Sequence, residues 1–399
     1  MLWWEGSSVQ EQLRTQNDDL LRKIHGIGQS IATAVIPDQL EPYREWLQGL
    51  LNSLAEQVGR NLKNLNIAVI DILPEVLDQT SVVTRELLVL NDRYLGPLLR
   101  ARVTDRLPLK LLTWMHAENA RTCDLPVVFA DGSFGSWPLE MQPTLYLIPP
   151  VDQERLLHLP LCFHEYGHLL YACHFSEMDD VVEALQKSIA RIMEPLARRN
   201  DNQGRSDQRK RKLIAERWYD WTQEFFCDAV GLVMAGPAFA YSFSFYFRTV
   251  GQDMYQKSFI DQMRSDHPLT WLRVRLLAER ARKSGWTAVA DEIEQDWQNI
   301  AELLGLTEDY FGCFDEKFLP ALSQTIEDML IEANPRQATS SEIEFDGPIN
   351  DSVTPPALLN SAWRRLHADS NNYASWEGRA LSDWLSLKRA LATAWQVNE

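Results

Sequence analysis

The spacing of apolar positions makes the first quarter of the chain helical. Leu13, Leu20, Leu21, Ile24 and Ile31 recur at helical intervals between Val9 and Ile36. Leu47, Leu50, Leu51, Leu54, Val58, Leu62 and Leu65 do the same between Pro42 and Asn66, and shorter helical pieces follow from Val76 to Leu99. These predict an N-terminal helical region over residues 1–120. From Leu125 the period changes from helix to strand. Val127–Ala130 and Thr144–Ile148 read as strands, with Asp131, Gly132 and Gly135 as turn residues between them and Pro149-Pro150 closing the second. Helical texture then returns. Apolar residues surround positions 161–170, a helix is predicted over Val181–Arg198, and a second apolar stretch covers 218–229. Between these the polar run 199–212 reads as a loop that could gate a cleft or attract acidic partners, although such a run is commonly a solvated face. Residues 272–333 are again helical, with Trp286, Trp297, Phe311 and Phe314 as expected core. The Pro-, Gly- and Ser-rich stretch 334–356 reads as a linker. Beyond it, residues 357–399 form a helical tail carrying Trp363, Trp376, Trp384 and Trp395. That tail packs on its own chain, or offers a partner surface or an inhibitory cover. The fold class expected is α+β, predominantly α, with a core over residues 121–333 that holds a small β-sheet.

One predicted helix carries chemistry. The stretch Leu161–Leu170 contains His164-Glu165-Tyr166-Gly167-His168, an H-E-x-x-H pattern with apolar flanks. On a helix His164 and His168 lie one turn apart on one face, where two imidazoles can converge on one metal ion, and Glu165 stands beside them. A metal-activated water needs such ligands, an open position and a base to take its proton. The apolar flanks keep the site dry. Two histidines and a glutamate also meet at this spacing by accident on ordinary core helices, so a third ligand decides more.

The second apolar stretch offers one. Trp218–Ala229 carries Glu224 and Asp228, again one turn apart, among Phe, Cys, Ala and Val residues where an unpaired carboxylate is costly. A metal removes that cost for one carboxylate, and the other can accept the spare ring N–H of a ligand histidine. A salt-bridged or solvent-facing acidic pair is the plainer alternative. Further on, Asp266–Arg273 contains H-P-x-x-x-x-R.

Together the three motifs resemble the gluzincin metallopeptidases, in which H-E-x-x-H is completed by a glutamate on a following helix. In order and spacing, with Ala235-Gly236-Pro237 after the acidic helix, they are similar to the CAAX prenyl endopeptidase family and its soluble relatives. The resemblance covers about residues 140 to 280. It implies a zincin-like core in which His164, His168 and Glu224 bind Zn2+ and Glu165 is the general base. It also implies that Asp228 orients a histidine, that His267 donates to the oxyanion, and that Arg273 holds the acidic helix. A strand ahead of the metal helix would border the cleft and pair with extended substrate. Two departures stand out: Cys227 occupies a position where the family has a small residue, and the membrane spans of many members are not evident.

Composition narrows the setting. The 399 residues allow two or three domains, and 45% hydrophobic with 24% charged residues is ordinary for a globular chain. A net charge of −17 argues against a nucleic-acid partner. Five cysteines without C-x-x-C spacing fit a reducing compartment, and no secretory leader is evident, so residence in the cytoplasm is expected. Residues 229–247 lack charge over a span-like length, but Gly236-Pro237 predicts a turn between two buried helices instead of a membrane span. Gly26-Ile27-Gly28 has no preceding strand and no third glycine, and is read as a break between helices. The function expected is a zinc-dependent endopeptidase acting on a specific protein or peptide, with partner contacts through the N-terminal helices or the Trp-rich tail. The alternative is an inactive metal-stabilised scaffold or regulatory protein.

Overall fold

A computed structural model of the chain describes residues 9–67, 72–122, 126–137, 143–194 and 202–387. The fold is α+β and predominantly α, and the chain forms two compact units. The first comprises residues up to Leu109 together with Val127–Asp131; the second comprises Lys110–Pro126 and everything from Gly132 onward.

In the first unit, α1 (Val9–Thr33), α2 (Glu41–Asn66) and α3 (Leu73–Val89) pack along the apolar stripes that their sequences predict, burying Leu13, Ile24, Leu47, Leu51, Val58 and Val76. Their shared interior also holds a polar knot. Asn17 of α1 donates to Thr80 of α3 at 2.9 Å, and Asn61 of α2 donates to Asn17 at 3.2 Å. Buried amides that find partners only in this alignment fix the register of the three helices. The short α4 (Gly96–Leu99) and strand β1 (Pro126–Ala130) complete the unit, and the division from the second falls inside α5 (Arg106–Ala117).

The second unit opens with β2 (Gly135–Trp137) and β3 (Thr144–Ile148), paired antiparallel with Ser136 opposite Tyr146. Gly135, expected in a turn, instead starts β2 opposite Leu147; a three-residue strand is too short to show alternation in sequence. Then come α6 (Cys162–Cys173), α7 (Phe175–Ile192), α8 (Asn202–Ala235) and α9 (Pro237–Phe247). The expected loop at 199–212 is helical from Asn202 onward. Its Gln, Arg and Lys residues are strong helix formers, and Gln203 bonds Asp207 one turn on at 3.1 Å. Helix α7 begins at Phe175, earlier than Val181, directly after α6.

At Gly236 the chain adopts φ +65°, which favours glycine, and a Cβ there would meet Ile343 at 3.1 Å. The charge-free stretch 229–247 is thus cut into the end of α8 and the start of α9. No helix among the described residues is long and apolar enough to cross a membrane. After α10 (Phe259–Arg264) follow α11 (Thr270–Lys283), α12 (Thr287–Leu303), α13 (Leu319–Ala333), α14 (Ser340–Ile343), α15 (Pro355–Ala368) and α16 (Tyr373–Ser386). Of the expected core residues Trp297 is fully buried, whereas Trp286, Phe311 and Phe314 lie half-buried beside loops. Trp218 and Trp221 of α8 are fully buried in the core.

The stretch 334–356 is tied down. Its α14 carries a Thr339/Glu342 capping box, Glu342 accepts two bonds from Arg336, and the Ala338 N–H donates to Val233 O at 2.9 Å. The tail packs on its own chain: Trp363 stacks on Tyr241 at 5.3 Å, Trp384 donates to Val353 O, and Glu377 accepts the Leu156 N–H. Trp376 is half-buried, and Trp395 lies outside the described residues.

Candidate metal centre

Two helices build the site. Along α6 the histidines His164 and His168 are one turn apart, and along α8 so are Glu224 and Asp228; the helices meet at Gly167 and Cys227. A Cβ on Gly167 would lie 2.8 Å from the Cys227 Cα. Only glycine allows the backbones this approach, which brings the two motifs together. The small residue at the contact is thus Gly167, on the partner helix from Cys227.

Nε2 of His164 stands 3.4 Å from Glu224 Oε2, and Nε2 of His168 stands 3.6 Å from Glu224 Oε1. The imidazoles are nearly perpendicular, with centroids 4.9 Å apart. One ligand atom from each of His164, His168 and Glu224 lies within 4.8 Å of the others, as three donors around one small cation require. The outer nitrogens are held from behind. Nδ1 of His164 lies 3.0 Å from Asp228 Oδ1 and can donate to it, leaving Nε2 free as a ligand atom. Nδ1 of His168 lies 3.2 Å from Nε2 of the Gln223 carboxamide, which braces the ring from behind. Asp228 thus meets His164 as the motif reading expects, while Gln223 was not foreseen. A single glutamine next to a motif glutamate carries no signal until the helix direction is known.

Arg273 of α11 reaches the back of the site. It donates from Nε and Nη2 to both oxygens of Asp228 at 2.8 and 2.7 Å, stands 3.2 Å from Glu224 Oε2, and lies over the Phe243 ring at 4.7 Å. Ahead of α11, Ser265 and His267 bond each other through the Ser265 hydroxyl, and Trp221 of α8 donates to Ser265 O. His267 is thereby placed with Nε2 3.6 Å from Glu224 Oε1, its side chain 61% exposed on the open side of the cluster. Glu165 lies on the same side. Its carboxylate is buried and accepts a bond from the Ser136 hydroxyl of β2 at 3.2 Å. Strand β2, a short strand ahead of α6 that the sequence did not reveal, therefore borders the site.

Burial and ion pairing set the titration of the cluster. Burial raises the Glu165 carboxyl above the usual carboxylate range, with Glu224 adding to the effect. Burial alone would also lower His164, but the neighbouring carboxylates of Asp228 and Glu224 outweigh that and push it up to about 9. Burial takes His168 down to about 4. Glu224 and Asp228 resist the upward pull of burial because Arg273 and His164 hold both below the usual range. Even so, Glu224 Oε2 is buried without a hydrogen bond. A neutral His168, a His164 whose ring proton a bound ion would displace, and an under-satisfied buried carboxylate oxygen fit a divalent zinc-type ion.

On the open side lies a cleft of about 300 Å³ floored by His164, Glu165 and Arg273 and walled by Phe134, Phe243, Tyr246 and Phe247. No model of a known family, no characterised protein and no solved structure matches the chain.

Proposed function

We propose that the chain is a zinc-dependent peptidase of the gluzincin kind, hydrolysing peptide bonds in a specific protein substrate. The observation that carries this reading is the convergence of His164 Nε2, His168 Nε2 and the Glu224 carboxylate beside a buried Glu165 that opens onto a cleft. His164, His168 and Glu224 hold the ion. Zinc supplies Lewis acidity, making a water acidic near neutral pH and polarising a carbonyl. Glu165 accepts the proton of the attacking water and passes it to the departing amine; burial, which raises its carboxyl, suits it to both halves of that task. His267 donates to the carbonyl oxygen as it gains charge. Asp228 and Gln223 keep both imidazoles oriented, and Arg273 holds the acidic pair.

A metal-stabilised scaffold needs neither a buried carboxylate aimed at the open side nor a cleft, and both support the enzyme reading. Free Cys162, Cys173, Cys227 and Cys313 support a reducing compartment, and we place the protein in the cytoplasm without a nucleic-acid partner. The test is zinc content after dialysis. About one zinc per chain is expected in wild type and much less in Glu224→Ala. Glu165→Ala should keep the zinc and lose cleavage of casein or of a co-purifying protein. A folded wild type that holds no zinc refutes the reading.

A further inference from the structure

We propose that the cleft selects a large apolar side chain flanked by a carboxylate, so that the substrate segment is an apolar or aromatic residue next to an acidic group. The proposal rests on the peptidase reading and adds its substrate class.

The cleft joins the catalytic floor to a largely aromatic wall. Phe134, ahead of β2, meets Tyr246 of α9 edge to face at 5.5 Å, and Tyr246 meets Phe247 at 5.1 Å; Met254 faces them from the loop after α9. Tyr246 and Phe247 are only half-buried, so their faces remain available to a ligand. Apolar surface of this kind, left open beside a buried Glu165, binds a side chain of matching size and gains little from a small or charged one.

The rim supplies the second element. Lys257 lines the same cleft, and among the described residues its ammonium makes no ion pair or hydrogen bond. The other cation of the lining, Arg273, is fully engaged by Asp228 and Glu224. In a chain of net charge −17, an unpaired lysine in the lining adds, beside the ion, a local attraction for an anion. The carboxylate can come from an acidic side chain or from the peptide's C-terminus.

The experiment measures binding of hydroxamates, which chelate zinc, to the full-length zinc-loaded protein by calorimetry. Acetohydroxamate reports the metal site alone. Peptidyl hydroxamates carrying Gly or Phe report the aromatic wall. The Phe compound extended by a glutamate amide, by a free C-terminal carboxylate or by a neutral amide reports Lys257. The Phe compound should bind at least about tenfold tighter than the Gly compound. Tyr246→Trp, which fills the cleft, should remove that preference, and Phe247→Ala should weaken it. One of the two carboxylates should add a few-fold in affinity, lost in Lys257→Gln, and whichever does so identifies the source. Acetohydroxamate that fails to bind sinks the metal site and this inference with it. Acetohydroxamate that binds with no preference for Phe overturns the aromatic selection and leaves the peptidase reading standing. A Phe preference with equal affinity for all three extensions overturns the carboxylate.

Discussion

Replacing Arg273 by methionine tests the electrostatic logic of the site. The guanidinium is 5% exposed, forms a two-pronged bond to Asp228 and stands 3.2 Å from Glu224. Methionine keeps most of the apolar stem but leaves two buried carboxylates with His164 as their cationic neighbour among the described residues. Removing one partner of a buried ion pair costs about 3–5 kcal/mol, because the remaining charge is stranded in a medium that solvates it poorly. The upper half of that range holds if both carboxylates stay ionised. A cation that binds the native state stabilises it by mass action, by about 4 kcal/mol at a thousandfold excess over its dissociation constant. Urea melts of wild type and Arg273→Met, each with chelator and with saturating zinc, should therefore show a large deficit without metal and a smaller one with it. Arg273→Lys, which keeps the charge but loses the fork, should fall between them. A chelated Arg273→Met within about 1 kcal/mol of wild type would refute the claim that Arg273 offsets the buried acids.

Three further outcomes follow from the surrounding structure. Gly167→Ala should force α6 and α8 apart, since its Cβ would meet Cys227 Cα at 2.8 Å; we expect a loss of about 1–3 kcal/mol by urea melt and weaker zinc retention, and unchanged zinc affinity would argue against the close contact setting the ligand geometry. Asn360→Leu should cost about 2–4 kcal/mol, because the side chain serves Ala235 O at the end of α8 and the Ala238 N–H at the start of α9, at 2.8 and 3.0 Å. For Glu342, burial raises the carboxyl, but bonds from Arg336, the Thr339 N–H and Thr354 outweigh it and hold it down to about 2. Its contribution is complete above the ordinary carboxylate range and is lost as pH falls from about 4.5 towards 2; the difference in stability between wild type and Glu342→Gln should shrink over that window by about 1–2 kcal/mol, allowing for solvent screening. A difference that does not vary with pH there would show that the ionised form is not what the bonds favour.

The site was legible to the extent that its chemistry follows helix periodicity. A four-residue spacing places two side chains on one helix face whatever the fold, so His164 pairs with His168 and Glu224 with Asp228 from sequence alone. What sequence could not supply was the angle between the helices. The assignments of Asp228 to His164 and of Gln223 to His168 depend on which face of α8 meets α6, and that is decided by Gly167, which reads in sequence as a variable position inside a motif. Ser136 was hidden for a related reason: its contact with Glu165 comes from a strand of three residues, below the length at which alternation can be recognised.

Where the fold departs from what composition predicts, hydrogen bonding decides. Residues 202–212 look like a loop because they are charged, yet Gln, Arg and Lys extend a helix readily, and α8 runs on through them. The stretch 334–356 looks like a linker because it is rich in Pro and Ser, yet Thr339 and Glu342 form a capping box that needs those residue types, and Arg336 and Thr354 close on the same glutamate. Turn-forming residues mark where a chain leaves regular structure, not whether it is free. The consequence reaches the site: with 334–356 held down, α15 is fixed where Asn360 bridges the break at Gly236. The break orients α9, and α9 carries Phe243 beneath Arg273 and Tyr246 on the cleft wall. The C-terminal region, though distant in sequence from every motif residue, is thus part of what shapes the cleft. A truncation after residue 333 should lose ligand selection even if zinc is retained.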